Sequence, residues 1–331
     1  MSSNIDSIDA VILAGGKESR FGILPINKNM LLVKNRPLFI HILFALLEVK
    51  RIGRIFITGP ADEIKRILKE HGGDIPSGKV FPVQESTDIV ANVWIAFIHS
   101  LVKYKPGDED NDEELREKLF FACAGDMPLA TPMEIDEFLD GCKAAGDYDW
   151  FMGMTRKETL DFYKPKKRRR GIRMAYSHFA EGLYRINNLH LFKPFKIKNK
   201  NEFTEFYRVR YLRRFSNILK SGIGILRRNV GLEGLFGWAF MILAMKLYRM
   251  GFISASDYFR KFVPIERGEK VVSRLIGGRS KTVITTYGGC ALDVDRKGNR
   301  ALFERQYDQW MEHQYKLADK RGLSKKIPKI T

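Results

Sequence analysis

The feature that most constrains this chain is a rhythm. Over the first 150 of its 331 residues, short apolar runs alternate with segments whose apolar residues recur at helical spacing. "IDAVILA" at 8–14 is bounded by polar residues and glycines, the pattern of a strand buried on both faces. "PLFIHILFALLEVK" then has helical spacing, "RIFITG" at 54–59 reads as a strand, and "DEIKRILKEHGG" reads as an amphipathic helix stopped by a glycine pair. "KVFPVQ", "DIVANVWIAFIHSLVKY" and "LFFACAGDMPL" continue as strand, helix and strand. The resulting βαβαβαβ order predicts an α/β fold with a doubly wound, mostly parallel sheet, whose ligands gather at the carboxyl ends of the strands.

Other stretches mark the organisation. "KPGDEDNDEELREK" reads as a solvated acidic loop leading into a short helix, because its carboxylates lack the fixed spacing of a calcium loop. After residue 150 the rhythm breaks. Residues 1–150 are therefore expected to form an α/β ligand-binding core, and 151–265 a basic, mainly helical insertion or lid region. Residues 266–315 return to the core through "KTVITTYGGCALDVD", read as a strand, a turn and a further strand, and a closing helix "RALFERQYDQWMEHQYKLA". Residues 316–331 read as a basic tail.

Composition narrows the partners. A hydrophobic fraction of 44% with 29% charged residues excludes wholesale disorder. The formal net charge of +18 suits a polyanionic partner or a Lys/Arg-rich solvated surface. Cys123, Cys142 and Cys290 lack metal or redox spacing and are expected as free thiols. The polar N-terminus reads as neither signal nor transit peptide, which predicts a cytoplasmic protein. The most apolar stretch, "GLFGWAFMILAM" at 234–245, is too short to cross a bilayer.

The candidate chemistry begins at "AVILAGGKESRFG". Gly15 and Gly16 follow the first strand, Arg20 comes four residues later, and Gly22 closes the stretch. Glycines let backbone N–H groups wrap a phosphate chain, and an arginine neutralises it in a forked geometry. The stretch lacks the Gly-Lys-Ser/Thr ending of a Walker A loop, and no G-x-G-x-x-G is present. In "GDMPL", Asp126 falls just after an apolar strand, where a carboxylate can meet a divalent cation. "ALDVD" offers Asp293 and Asp295, which point to opposite faces if extended, so only one need enter the site. Lys28 follows the cradle closely enough to neutralise an α-phosphate. Together these make a metal-phosphate site.

In this order and at these separations, "LAGGKESRFG", Lys28 in "NKNMLLVKNRP", "GDMPL" and "LDVD" resemble the MobA-like nucleotidyltransferase family, part of the sugar-phosphate nucleotidyltransferase group with a Rossmann-like, GT-A-like fold. The resemblance covers residues 8 to about 150 and about 280 to 310. It implies transfer of an NMP from an NTP to a phosphorylated acceptor, with Mg²⁺ and release of pyrophosphate. By position, Gly15, Gly16 and Arg20 would hold the triphosphate, with Leu13 and Ala14 also at the nucleotide, and Lys28 the α-phosphate. Asp126 and one of Asp295 or Asp293 would hold magnesium, with Asp295 preferred. "PVQESTDIVANV" resembles the base-recognition loop, with Gln84, Ser86 and Asn92 as its readers. Two departures stand out. An acidic "TPED" is replaced by "RKGN" at 296–299, and the stretch between Gly22 and Lys28 is longer than in the smaller guanylyltransferases of the family.

The basic run "FYKPKKRRRGIR" at 162–173 has three readings: an RNA- or membrane-contacting strip, a clamp for a phosphorylated acceptor, or a solvated loop. Without aromatic interleaving, nucleic acid is not expected as a partner. By resemblance the segment that follows borders the acceptor, which makes Arg173, Asn187 and Asn188 the acceptor candidates. In the helical segment beyond, Phe236, Trp238 and Phe240 lie between Arg227, Arg228, Lys246 and Arg249. They form either a self-packed subdomain or an interfacial surface at an anionic membrane. The expected partners are an NTP and a phosphorylated small-molecule or lipid-precursor acceptor. A nucleotide-sugar glycosyltransferase of related fold and a non-catalytic nucleotide- or RNA-binding protein are the alternatives. The sequence does not define the oligomeric state.

Overall fold

Alternation along the strands decides which side of the sheet each residue enters. In β1 (Ile8–Leu13), Ile8, Ala10 and Ile12 enter one apolar layer while Val11 enters the other. In β6 (Phe120–Ala124), Phe121 and Cys123 share the first layer, and Phe120 and Ala122 the second. Both faces are buried, as a parallel sheet requires. The structure, a computed structural model, describes residues 7–16, 27–71, 73, 75–167, 169–200, 204, 231–294 and 297–323.

After β1 come the two-residue strands β2 (Leu32–Val33) and β3 (Arg36–Pro37), an antiparallel hairpin, and α1 (Leu38–Leu47). The chain continues through β4 (Ile52–Gly59), α2 (Ala61–His71), β5 (Val80–Gln84) and α3 (Ile89–His99). The acidic stretch forms the short helices α4 (Asp108–Asn111) and α5 (Glu113–Glu117) before β6. Then follow α6 (Pro132–Ala145), β7 (Trp150–Arg156), α7 (Lys157–Leu160), β8 (Ser177–Phe179) and β9 (Gly182–Phe192). The chain is described again in α8 (Gly231–Arg249), α9 (Ile253–Arg260), α10 (Ile265–Ile276), β10 (Ser280–Thr285) and α11 (Lys297–Asp319).

Among the described residues one eight-stranded sheet runs β10-β7-β9-β6-β1-β4-β5, with β8 paired to β9. β9 runs antiparallel to both β6 and β7, while the β10-β7, β6-β1, β1-β4 and β4-β5 pairs are parallel. The fold is the expected α/β one. Strands β4 and β5 build to one side of β1 and β6 lies on the other, so the order reverses beside β1. That reversal opens a crevice at the strands' carboxyl ends. Leu13, the last residue of β1, sits opposite Thr58 and Ala124, and Gly15, Gly16 and Asp126 leave the sheet at that level.

Two expectations are corrected. Residues 151–192, read as the start of a mainly helical insertion, supply most of β7 and all of β8 and β9. The period-2 signal fails in β9 because its register with β7 shifts between Met152 and Met154, and Asn188 takes a left-handed φ of 59°. This bulge spaces the buried residues Tyr184, Asn187, Leu189 and Leu191 unevenly. The second strand expected in "ALDVD" is absent from its described part. Gly289–Ala291 is a 3₁₀ turn, and 292–294 runs on without strand pairing. At the C-terminus α11 continues through Asp319, into the stretch read as a tail, of which 324–331 lie outside the described residues.

Candidate functional site

The glycine pair is held from both sides. Ala14 N–H donates to Thr58 O at 2.8 Å, and the Asn27 side-chain amide donates to Ala14 O at 2.6 Å. Asn29, buried, donates from Nδ2 to Gly15 O at 3.3 Å. Gly16 has a φ of 132°, where a side chain would be strained. Its N–H donates to Glu85 Oε2 at 2.8 Å, and a methyl group at Gly15 would fall 2.3 Å from that oxygen. An acidic side chain therefore already uses the anion-binding capacity of this backbone. The sequence reading missed Glu85, although it lies between the flagged Gln84 and Ser86. Arg20 lies outside the described residues.

The loop after β5 is fastened by the helix it precedes. Asp88 caps α3, its Oδ1 accepting from Val90 and Ala91 N–H at 3.0 Å each. Asn92, one turn on, is buried, and its Oδ1 accepts from Ser86 N–H at 2.5 Å. Its Nδ2 would lie 3.4 Å from a methyl group at Gly15. Asn92 thus fastens the loop and packs beside Gly15. Gln84 Oε1 accepts from Ala61 N–H at the start of α2, and the Ser86 side is exposed.

Lys28 and Asp126 meet in an ion pair across the crevice. The Asp126 side chain is only 5% exposed and that of Lys28 is 40% exposed, so a buried carboxylate faces a cation reaching in from solvent. Lys28 occupies a 3₁₀ turn, Lys28–Met30, whose N-cap Asn27 accepts from Asn29 N–H at 3.0 Å. The hairpin beyond it is fastened to α11. Lys34 N–H donates to Glu304 Oε2 at 2.9 Å, Lys34 Nζ pairs with Asp308 at 2.7 Å, and Arg300 Nε donates to Leu32 O at 2.8 Å. The buried His41 ring sits between Val33 O at 2.9 Å and the Tyr307 hydroxyl at 3.1 Å. Burial lowers its pKa to about 4.

The second carboxylate segment does reach Asp126. Val294 N–H donates to Asp126 O at 3.1 Å. Asp293, however, pairs with Arg185 of β9 at 2.6 Å, while Arg185 Nε donates to Ala291 O at 2.7 Å. The Asp293 carboxylate is therefore already neutralised from the sheet. Asp295 lies outside the described residues. Among the described residues no three His, Cys, Asp or Glu side chains form a metal-holding group.

Glu134 organises the approach to this segment, and sequence reading missed it. "TPME" at 131–134 carries a capping-box pattern, and Thr131 Oγ1 does accept from Glu134 N–H at 3.3 Å. The buried carboxylate instead accepts from Cys290 N–H and Thr285 Oγ1, both at 2.8 Å, and from Gly288 N–H at 3.2 Å. Burial pushes the Glu134 carboxyl above the usual range, against the pull of the Cys290 and Thr285 donors.

The acceptor candidates separate. Asn187 has no exposed surface. Its Nδ2 donates to Thr285 Oγ1 at 2.8 Å and its Oδ1 accepts from Leu189 N–H at 3.3 Å, so it belongs to the buried network around Glu134. Asn188 forms the bulge beside the carboxyl end of β6, and Arg173 is exposed. Part of the basic run is structural. The Arg169 guanidinium lies 4.4 Å from the Phe162 ring centre and donates to Phe162 O, and Phe162 stacks on His313 of α11 at 3.6 Å. Lys164 pairs with Asp161 at 2.5 Å. The three cysteines are buried free thiols, and burial raises all three pKa values. No helix among the described residues is long and apolar enough to cross a membrane.

With this geometry in hand, comparisons locate its kind. A profile described as the MobA-like NTP transferase domain matches residues 10–186, more than half of the chain. No curated protein sequence matches. Among solved structures, a hypothetical transferase from Thermus thermophilus is similar at 20% identity with a TM-score of 0.56, over 88% of this chain and 99% of that one. A 4-diphosphocytidyl-2C-methyl-D-erythritol synthase from Anaerococcus prevotii has 13% identity and a TM-score of 0.45, over 92% of this chain and 97% of that one. A CMP:2-keto-3-deoxy-manno-octonic acid synthetase complexed with CTP has 11% identity and a TM-score of 0.45, over 92% and 99%. The Thermus likeness extends the shared fold beyond the profile match.

Proposed function

Because the chain belongs to the MobA-like NTP transferase family, we propose that it moves an NMP group from an NTP to a phosphorylated acceptor and releases pyrophosphate. The carrying observation is the Lys28–Asp126 pair, set beside the Gly15–Gly16 backbone where the strand order reverses. On this reading the triphosphate lies along the N–H groups after β1, displacing the Glu85 carboxylate from Gly16. Leu13 and Ala14 lie beneath the nucleotide. The loop 84–88 faces the base, with Gln84, Glu85 and Ser86 at its exposed side and Asn92 holding its position.

An acceptor phosphate oxygen attacks the α-phosphorus in line. The new P–O bond forms as the bond to the bridging oxygen of the β-phosphate breaks, and that oxygen leaves with the electron pair on pyrophosphate. The Lys28 ammonium and the Arg20 guanidinium offset the charge that builds on the α-phosphoryl oxygens and the leaving group. A phosphate nucleophile is already an anion, so no general base is required. A buried carboxylate that already seats an ammonium suits a hard cation, and Mg²⁺ is commonly held by one or two carboxylates plus substrate phosphates. Asp126 with Asp295 or Asp293 would hold Mg²⁺, which supplies Lewis-acid charge at the phosphoryl oxygens. The pairing of Asp293 with Arg185 favours Asp295. The acceptor, a phosphorylated small molecule or lipid precursor, is placed on the Asn188 and Arg173 side. Arg185 and Asp293 form an ion pair nearby, and Asn187 acts only through the buried hydrogen bonds it makes to Thr285 and Leu189.

Differential scanning fluorimetry with each of the four NTPs and Mg²⁺ tests the reading. A ligand at 100 times its Kd adds about 2.7 kcal/mol to the native state. One NTP is expected to raise Tm in wild type, and a Lys28→Met variant is expected to lose most of that shift. No shift with any NTP would overturn the proposal.

A further inference from the structure

Among the described residues, six of the ten large apolar side chains that stand exposed lie on the α8–α9 hairpin: Phe236, Met250, Phe252, Ile253, Tyr258 and Phe262. The hairpin is nonetheless firmly seated. On its inner side Ser256 is buried, donates to Ala244 O at 2.8 Å and lies 3.2 Å from His178 Nδ1 of β8. Arg260 donates to Phe179 O at 3.0 Å and to Ala180 O at 2.8 Å. Phe240 packs on Phe259 and Phe262, with ring centres 6.0 and 5.3 Å apart. The outward residues are therefore not waiting to fold inward.

Charge accompanies this apolar surface. Lys246, Arg249 and Lys261 are exposed on the same hairpin. Between 234 and 263 the single acidic residue, Asp257, is paired with Arg260 at 2.7 Å. The apolar residues at the tip, Met250, Phe252 and Ile253, lie in the turn between the two helices and at the start of the second, and all three are about half exposed or more. A protein interface core is depleted in lysine, whereas apolar tips rimmed by lysine and arginine suit the headgroup layer of an anionic bilayer. Of the three aromatic residues singled out in the sequence, Phe236 is exposed, whereas Trp238 is half-buried and Phe240 is engaged with α9.

We propose that the α8–α9 hairpin is a peripheral docking element that inserts Met250, Phe252 and Ile253 into the headgroup layer of an anionic membrane, with Lys246, Arg249 and Lys261 at the lipid phosphates. The proposal stands on the hairpin alone and does not require the nucleotidyl-transfer reading.

Flotation of the full chain with phosphatidylcholine vesicles, with and without phosphatidylserine, at about 0.1 M ionic strength tests it. Wild type floats with the phosphatidylserine vesicles only. Each exposed cation near the surface is worth about fivefold in partitioning, so Lys246→Glu with Lys261→Glu lowers binding by at least that square. Phe252→Ser with Ile253→Ser lowers it about tenfold or more. Both double variants keep the wild-type Tm, because the altered side chains are exposed. Wild type that stays in solution overturns the proposal. So does a Phe252→Ser, Ile253→Ser protein that floats like wild type, which would assign binding to the general positive charge. A wild-type dimer that the same serine variant converts to monomer also overturns it, because the face would then be an interface between copies.

Discussion

Gly125 offers the sharpest perturbation of the crevice without touching a charged group. It links β6 to Asp126, and its N–H donates to Leu13 O at 3.0 Å. A methyl group there would fall 2.9 Å from Asn29 Oδ1, 3.1 Å from Leu13 O and 3.4 Å from Ala14 Cα. Two of these neighbours are backbone of β1 and its exit, so they yield little. Overpacking of this kind costs about 1–3 kcal/mol, and Gly125→Ala is expected within that range by urea unfolding. The strain is relieved most easily by moving residues 125–126 away from β1, which carries the Asp126 carboxylate off Lys28. NTP-dependent stabilisation should therefore fall more than tenfold in apparent affinity, beyond what the stability loss explains. Asn29→Ser removes the first contact but not the Leu13 carbonyl, so in that background the Gly125→Ala cost should drop by at least about 0.5 kcal/mol without vanishing. A Gly125→Ala protein within about 0.5 kcal/mol of wild type and with an unchanged NTP shift would refute the close-approach reasoning.

Gly153 faces Asn187 across the bulge, where a methyl group would come 2.0 Å from Asn187 Oδ1. Gly153→Ala should cost about 2–5 kcal/mol by combining overpacking with the loss of the buried Asn187–Thr285 bond. The same change in an Asn187→Ala background should cost less than about 1 kcal/mol, and equal costs in the two backgrounds would refute the pairing. Stability should also fall in acid. His41 stays neutral in the fold down to about pH 4, whereas the unfolded chain protonates it near its ordinary 6.5, so stability is lost as pH falls from 6.5 towards 4. The loss between pH 7 and pH 5 should be about 2 kcal/mol, and the urea midpoint of a His41→Gln protein should respond less over that interval. His178, lowered to about 4 chiefly by burial, adds a loss in the same direction.

The parts of the site that are local in sequence were legible. Gly15, Gly16 and Asp126 each sit just beyond a strand end, and the βα rhythm alone implied that those ends share one edge. The helix that starts after Asp88 was equally readable, whereas the one capped by Thr131 went unread although its cap lies within three residues. β9 was not legible either. It is antiparallel, reached without a crossover helix, and its bulge at Asn188 erases the alternation that marks a strand.

What the sequence by itself determined is therefore the doubly wound core and the placing of a glycine pair and a carboxylate just beyond its strand ends, since strand burial and glycine freedom are written in neighbouring positions. Tertiary structure alone decided which polar groups are already engaged. Glu85 lies 69 residues from Gly16, Asp293 lies 108 from Arg185, and Glu134 lies 156 from Cys290. Each of these contacts depends on how the sheet brings distant segments to one edge. A carboxylate free to receive a ligand and one already neutralised look the same in a string of letters; they differ only in what the fold sets within hydrogen-bonding distance.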